Sequence, residues 1–150
     1  MSILKDLMPL IKEAMKAKDQ VALASLRAIK SEVLKANTAA GASGELSEDE
    51  EIKLIQRLVK QRRDAAAIYK EQGRDDLLKD EVDQADVIAQ FLPKQLSAEE
   101  LEAKLKEMIA KVGAAGPKDM GKVMGMANKE LAGKAEGRAI ADTVKRLLAN

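Results

Sequence analysis

A chain of 150 residues, 46% of them hydrophobic, has enough apolar material for one large core or two small ones. Aromatic content is 1%, one Tyr69 and one Phe91, so the core must be built from Leu, Ile, Val, Met and Ala, a palette that favours helices over sheets. Charged residues make up 34% with a net charge of +1, and there is no Cys and no His, which excludes a disulfide framework, a zinc finger, Cys/His nucleophile chemistry and a polybasic arm.

The opening residues, MSILKDLMPLIKEAMKAKD, alternate apolar and charged types and lack the continuous apolar stretch of a signal peptide. No run approaches the roughly 18 apolar residues of a membrane span. A cytoplasmic protein without membrane association is the expectation. A first helix is predicted over about residues 3–18, with Leu4, Leu7, Met8, Ile11, Ala14 and Met15 on its inner face. Pro9 interrupts it, so the helix either kinks there or becomes regular only near Asp6. Asp19 is a good N-cap for a second helix running to about Ala40, with Ala22, Leu26, Ile29 and Val33 inward. GASGE, Gly41 to Glu45, reads as a flexible connector.

Ser47 with Glu50 three residues on forms a capping box at the start of a third helix, which runs to about Gln72. Its stripe is Ile52, Ile55, Val59, Ala66 and Tyr69, and Gly73 ends it. A fourth helix spans about 75–92, with Leu78, Val82, Ala85, Ile88 and Leu92 inward and Pro93 as the stop. Ser97 and Glu100 make a second capping box, opening a fifth helix that carries Leu101, Leu105, Met108, Ile109 and Val112. Gly113, Gly116 and Pro117 separate it from a sixth helix, which Gly133 closes. A last helix begins near Gly137 with Ile140, Val144, Leu147 and Leu148 inward. The expected architecture is all-α, a bundle of about four helices over 1–92 and a three-helix domain over 97–150, with FLPKQLS (Phe91–Ser97) at the boundary.

The sixth helix, within KDMGKVMGMANKELAGKAEGRA, carries the least expected residues. Met120, Val123, Met124, Ala127 and Leu131 repeat with helical spacing, yet Gly121 and Gly125 sit inside the pattern. An interior glycine costs roughly 1 kcal/mol against alanine. In projection the two glycines form a stripe between the buried face and a lysine face carrying Lys122 and Lys129. Two readings compete: small residues that let another helix approach closely, or bare backbone beside lysines that lets a bulky polyanion come near. Lys134 and Arg138 flank the start of the last helix, and Lys145 lies seven residues beyond Arg138 on the same face. From Lys111 onward there are eight basic and four acidic residues, the strongest charge asymmetry in the chain. Together Lys122, Lys129, Lys134, Arg138 and Lys145 form a candidate phosphate-contacting surface. With no aromatic platform for stacking bases, it would read backbone and shape.

Elsewhere the residues give little chemistry. The carboxylates cluster in SEDEE and GRDDLLKDEVD, at helix starts and on polar faces. A metal site at Asp75, Asp76, Asp80 and Asp83 fits one helix face only loosely, so neither a metal nor a cofactor is expected. No Ser lies in a nucleophile elbow, and GKVMG lacks the ending of a phosphate-binding P-loop. In KQRRD, Arg62 falls on the buried stripe of the third helix while Lys60 and Arg63 face solvent. Its guanidinium either pairs with an Asp or Glu of another helix or contacts a phosphate or a partner.

KQRRDAAAIYKEQGRDDL, FLPKQLS, DMGKVMG and GKAEGR, in this order, resemble the GatB/YqeY family along essentially the whole chain. The resemblance implies an all-α fold whose C-terminal part is similar to the tail of the B subunit of the glutamine-dependent Asp-tRNA/Glu-tRNA amidotransferase, a domain implicated in holding tRNA. It associates the chain with the label of a carbon–nitrogen ligase using glutamine as amido donor. No counterpart of that enzyme's catalytic centres is present in the sequence. The implied function is therefore a tRNA-binding accessory protein, with tRNA or an amidotransferase or other translation protein as partner. The alternative is a helical protein-interaction module. Motif residues that carry over are Asp119, Gly121, Lys122, Gly125, Gly133, Lys134, Gly137 and Arg138. Pro9 and Glu136 depart from the family pattern, Glu136 replacing a more usual aspartate at a helix start.

Overall fold

The computed structural model describes residues 3–39 and 45–149. Among them are seven α-helices, a short 3₁₀ turn at Pro117–Asp119 and no strand, so the chain is all-α. The helices are α1 (Ile3–Ala17), α2 (Gln20–Ala39), α3 (Glu48–Glu71), α4 (Asp75–Ala89), α5 (Ala98–Val112), α6 (Met120–Glu130) and α7 (Gly137–Ala149). The chain divides into two compact units, Met1–Leu92 and Pro93–Asn150. The expected connector, except Glu45, and the expected last residue of the second helix, Ala40, lie outside the described residues.

The first unit holds α1 to α4, with α3 packed on α4, α1 on α2 and α2 on α4. Leu7, Ile29, Val33, Ile55 and Ile88 are fully buried at its centre. Asp19 caps α2 as its sequence position predicts, its carboxylate accepting from the Ala22 amide at 3.0 Å. The α1–α2 turn is tightened by Lys18, a non-glycine residue at φ 55°, and by the Asp19 amide donating to the Ala14 carbonyl at 3.0 Å. The first amide of α1, that of Ile3, donates to the Glu51 carboxylate of α3 at 3.1 Å.

Pro9 lies inside a continuous helix that starts at Ile3, so the alternative of a regular part beginning only near Asp6 is incorrect. Pro9 and Lys5, the residue whose carbonyl loses a donor, are both exposed, where water can replace the missing bond. The inner face of α1 also differs from expectation. Ile3, Leu7 and Ala14 are buried, whereas Met8 and Met15 are 46% and 55% exposed. The six expected residues spread over too wide an arc for one neighbour, and the core takes one side of it. In α3 the buried stripe includes Leu54 and Leu58, while Ile52 and Tyr69 are only half-buried. Helix α4 ends at Ala89, three residues before Leu92. The amides of Gln90, Phe91 and Leu92 turn to carbonyls three residues back. Pro93 disfavours helical geometry at the residue before it, and the last turn tightens instead.

The second unit packs α5, α6 and α7 on one another around Leu105, Val123, Ala127, Leu131 and Val144. Helix α5 ends at Gly113 in the left-handed region, φ 69°, with the Ala114 amide reaching the Ile109 carbonyl at 3.1 Å. Both capping boxes are complete: the Ser47 and Ser97 amides donate to the Glu50 and Glu100 carboxylates, and the serine hydroxyls accept in return.

Hydrogen bonds from the serine amides hold the Glu50 and Glu100 carboxyls below the usual glutamate range. A hydrogen bond from Arg146, reinforced by its charge, does the same to Glu102. A carboxyl depressed in the folded state adds stability that is fully present above its unfolded value, about 4.3. That stability is lost as pH falls through the lower folded value. Thermal unfolding followed across acid pH should show the melting temperature falling below about pH 4.3, with a shallower fall in Glu50→Gln and Glu100→Gln, which no longer carry the carboxyls that the serine amides hold ionised.

Candidate nucleic-acid interface

The geometry of the C-terminal motifs is set by backbone hydrogen bonds. Pro117 starts the 3₁₀ turn that leads into α6. The Asp119 carboxylate reaches back to accept from the Ala115 amide at 2.9 Å, and the Asp119 amide donates to the Gly116 carbonyl at 2.9 Å. Asp119 thus fixes the loop from which α6 emerges. Helix α6 stops at Glu130, short of its expected end at Gly133, because Leu131 takes the C-cap position and the Lys134 amide turns to the Leu131 carbonyl at 2.9 Å.

Gly133 lies in that turn, buried, at φ 77°, a conformation that glycine adopts without strain. Its carbonyl accepts from the Gln95 side-chain amide at 2.6 Å, and the Lys134 carbonyl accepts from the Leu96 amide at 2.9 Å. Two of the sequence motifs, FLPKQLS and GKAEGR, are therefore bound to each other. The Glu136 carbonyl accepts from the Ile140 amide at 3.0 Å, which places Glu136 at the N-cap of α7.

Gly121 and Gly125 are both exposed on α6. A Cβ placed on either would meet no atom within 4 Å. Neither α5 nor α7, the other helices of the second unit, presses against them, so close helix approach within that unit does not account for the pair. Lys122 and Lys129 are exposed on the same helix. Arg138 and Lys145 are exposed on α7, and Lys134 is half-buried in the turn between the two helices. None of these five cations forms an ion pair with a described residue, whereas Arg146, beside Lys145, is bound to Glu102 at 2.8 Å.

Lys134 joins cations of another helix. With Lys104 and Lys111 of α5 it lines a cavity of about 270 Å³, floored by Met108 and Leu131 and also lined by Glu107 and Glu130. Lys104 and Lys111 lie seven residues apart, a spacing visible in the sequence. Only the packing of α5 on α6 reveals that they stand beside Lys134.

The other candidates resolve into structural roles. Arg62 is half-buried and finds no carboxylate, contrary to one reading of its position. Its Nε donates to Gln84 of α4 at 3.2 Å and a terminal nitrogen to the Leu58 carbonyl at 3.4 Å, while Gln84 donates in turn to Asp80 at 3.0 Å. Lys60 and Arg63 stay exposed but pair with Asp64 at 2.7 Å and Asp86 at 3.0 Å. The aspartates of α4 do not converge: Asp76 pairs with Arg74 at 3.5 Å and Asp83 with Lys79 at 3.1 Å. Among the described residues no three Asp or Glu are gathered to hold a metal. No described helix is long and apolar enough to cross a membrane.

Comparison with known proteins finds no match among curated proteins. The family whose model matches the chain is described as Yqey-like protein, and the match covers residues 4–148, nearly the full sequence. The chain belongs to the YqeY family.

Proposed function

We propose that this protein is a tRNA-binding accessory module whose C-terminal unit contacts the phosphate backbone. The observation that carries the reading is the open strip of Gly121 and Gly125 on α6, where a Cβ would find open space, beside Lys122 and Lys129, which have no ion-pair partner among the described residues. An α-helix with bare backbone on its exposed face lets a phosphodiester chain come closer than any side chain permits, and flanking ammonium groups supply the attraction. Lys134, Arg138 and Lys145 extend the set to five cations without an ion-pair partner among the described residues. The resemblance of the C-terminal motifs to the tail of a tRNA-dependent amidotransferase supports tRNA as the polyanion. No catalysis is assigned to this chain alone. With no His and no Cys, the link to carbon–nitrogen ligase chemistry is association with an enzyme that performs it.

The test separates bulk from charge. Gly121→Gln with Gly125→Gln leaves every lysine in place and fills the open strip with long neutral side chains. Glutamine is a better helix former than glycine, so the variant should gain up to about 1 kcal/mol in denaturant unfolding. Its affinity for tRNA in a filter-binding titration should fall at least tenfold. A stabilised variant that binds as tightly as the unmodified protein would show that the strip is not the contact.

A further inference from the structure

Three of the five large apolar side chains that stand exposed among the described residues belong to one helix: Met8, Leu10 and Met15 of α1. Two of them lie on an ordered stripe. Leu4, Met8, Ile11 and Met15 follow one another at spacings of four, three and four residues, the a/d repeat by which one helix receives another. The stripe lies about 90° round the helix from the face buried in the first unit, Ile3, Leu7 and Ala14. Leu4 and Ile11 are half-buried against the rim of that core, while Met8 and Met15 are 46% and 55% exposed, so the seam continues the core outward and is left uncovered by the described residues of the first unit.

Next to the seam, on its outer side, runs a row of three lysines. Lys5, Lys12 and Lys16 project within about 40° of one another and immediately beside the apolar stripe. All three are exposed, and none pairs with a described carboxylate. Asp6 and Glu13 of the same helix project to the far side. Elsewhere in this unit Lys35, Arg57, Lys60, Arg63, Arg74 and Lys79 have acidic partners, whereas Lys18, Arg27, Lys30, Lys53 and Lys70, like the α1 row, pair with no described carboxylate, so it is the row's position beside the seam that singles it out.

We infer that α1 is a docking face for a partner protein that presents an acidic amphipathic helix, its apolar residues seated on Leu4, Met8, Ile11 and Met15 and its carboxylates against Lys5, Lys12 and Lys16. The lysine row beside the seam sets the charge of the occupant. The seam spans about 16 Å, three helical turns, and is one helix wide, because on its inner side the surface passes directly into the protein's own core. That width and the heptad spacing fit a helix in a groove better than a lipid surface, which would face a broad apolar arc with cations on both edges. A second copy pairing α1 antiparallel to α1 would bring Lys5 opposite Lys12, like charge against like. Methionine at two of the four positions suits a surface that accepts helices of varied side chains. This face lies in the other unit from the proposed tRNA contact and is tested without RNA.

The probe is a synthetic three-heptad helical peptide with Leu at a and d and Glu at e and g, titrated by fluorescence anisotropy against the full chain. A counterpart carries Lys at e and g. The Glu peptide should bind in the micromolar range, weaken severalfold as salt rises, and bind at least tenfold more tightly than the Lys peptide. Met8→Glu with Met15→Glu, at exposed positions, should keep the melting temperature and lose at least tenfold in affinity. Lys5→Glu with Lys12→Glu and Lys16→Glu should invert the preference between the peptides. Failure to bind the Glu peptide, or equal binding of both, overturns the inference. So does binding to phosphatidylglycerol vesicles in place of the peptide, or a dimer in sedimentation that Met8→Glu with Met15→Glu disperses.

Discussion

Replacing Lys122 and Lys129 together by glutamate should lower tRNA affinity roughly fiftyfold at 0.1 M salt and leave the fold intact. The magnitude follows from counterion release. Each phosphate contact contributes about 0.9 to the slope of log affinity against log salt on a duplex, so each is worth nearly a factor of ten at 0.1 M. Both lysines are exposed on α6 and neither has an ion-pair partner among the described residues, so no internal bond is broken by the change. Surface substitutions of this kind usually alter stability by less than about 0.5 kcal/mol. The same double reversal at Lys60 and Lys79, which are held by Asp64 and Asp83 in the first unit, changes the net charge equally and should leave tRNA affinity within about twofold. The pair of variants separates a local contact from a general response to net charge.

The second large effect concerns the scaffold. Leu105→Ala should unfold much of the second unit's stability margin. Leu105 is fully buried among Leu101, Met108, Val123, Leu131 and Val144. Such truncations cost about 2–5 kcal/mol through lost burial and the cavity left behind. A unit of this size commands roughly 3–9 kcal/mol in total. Its melting temperature should fall by on the order of 15 °C, and tRNA binding should weaken with it as α5 and α6 lose their shared packing. Met8→Ala, at an exposed position of α1, should shift neither by a measurable amount. Calorimetry of the two variants beside the unmodified protein checks the contrast.

Much of this scaffold is legible in the sequence because its signals are local. Ser47 with Glu50 and Ser97 with Glu100 announce helix starts three residues apart, and both boxes form. Asp19 and Gly113 mark a start and a stop for the same reason, since a cap bond or a left-handed turn needs only its own neighbours. What the sequence hides is long-range. The apolar arc of α1 is wider than one contact, and only packing decides that Leu7 goes in while Met8 stays out. Arg62 sits on a buried stripe, but its partner, Gln84, comes from a different helix and carries no charge. Glu51 reads as part of an acidic first turn, yet it caps the Ile3 amide across the bundle.

The candidate interface divides along the same line. Gly121, Gly125, Lys122 and Lys129 are visible as a stripe in helical projection. Whether a helix covers the glycines is a tertiary question, and a Cβ added to either would find open space. Lys104 and Lys111 look like an ordinary solvated face of α5 until α6 and the following turn bring Lys134 beside them. The link between Gln95 and Gly133, 38 residues apart, likewise joins two motifs whose separate positions give no sign that they touch.

The most direct measurement of the tRNA reading is the affinity of the full chain for tRNA between about 50 and 200 mM salt. If Lys122, Lys129, Lys134, Arg138 and Lys145 all meet phosphates, log affinity should fall linearly with log salt at a slope of about −4. The Lys122→Glu, Lys129→Glu variant should show a slope shallower by about 2. A slope near zero, an unchanged slope in the variant, or no tRNA bound at the lowest salt would contradict it.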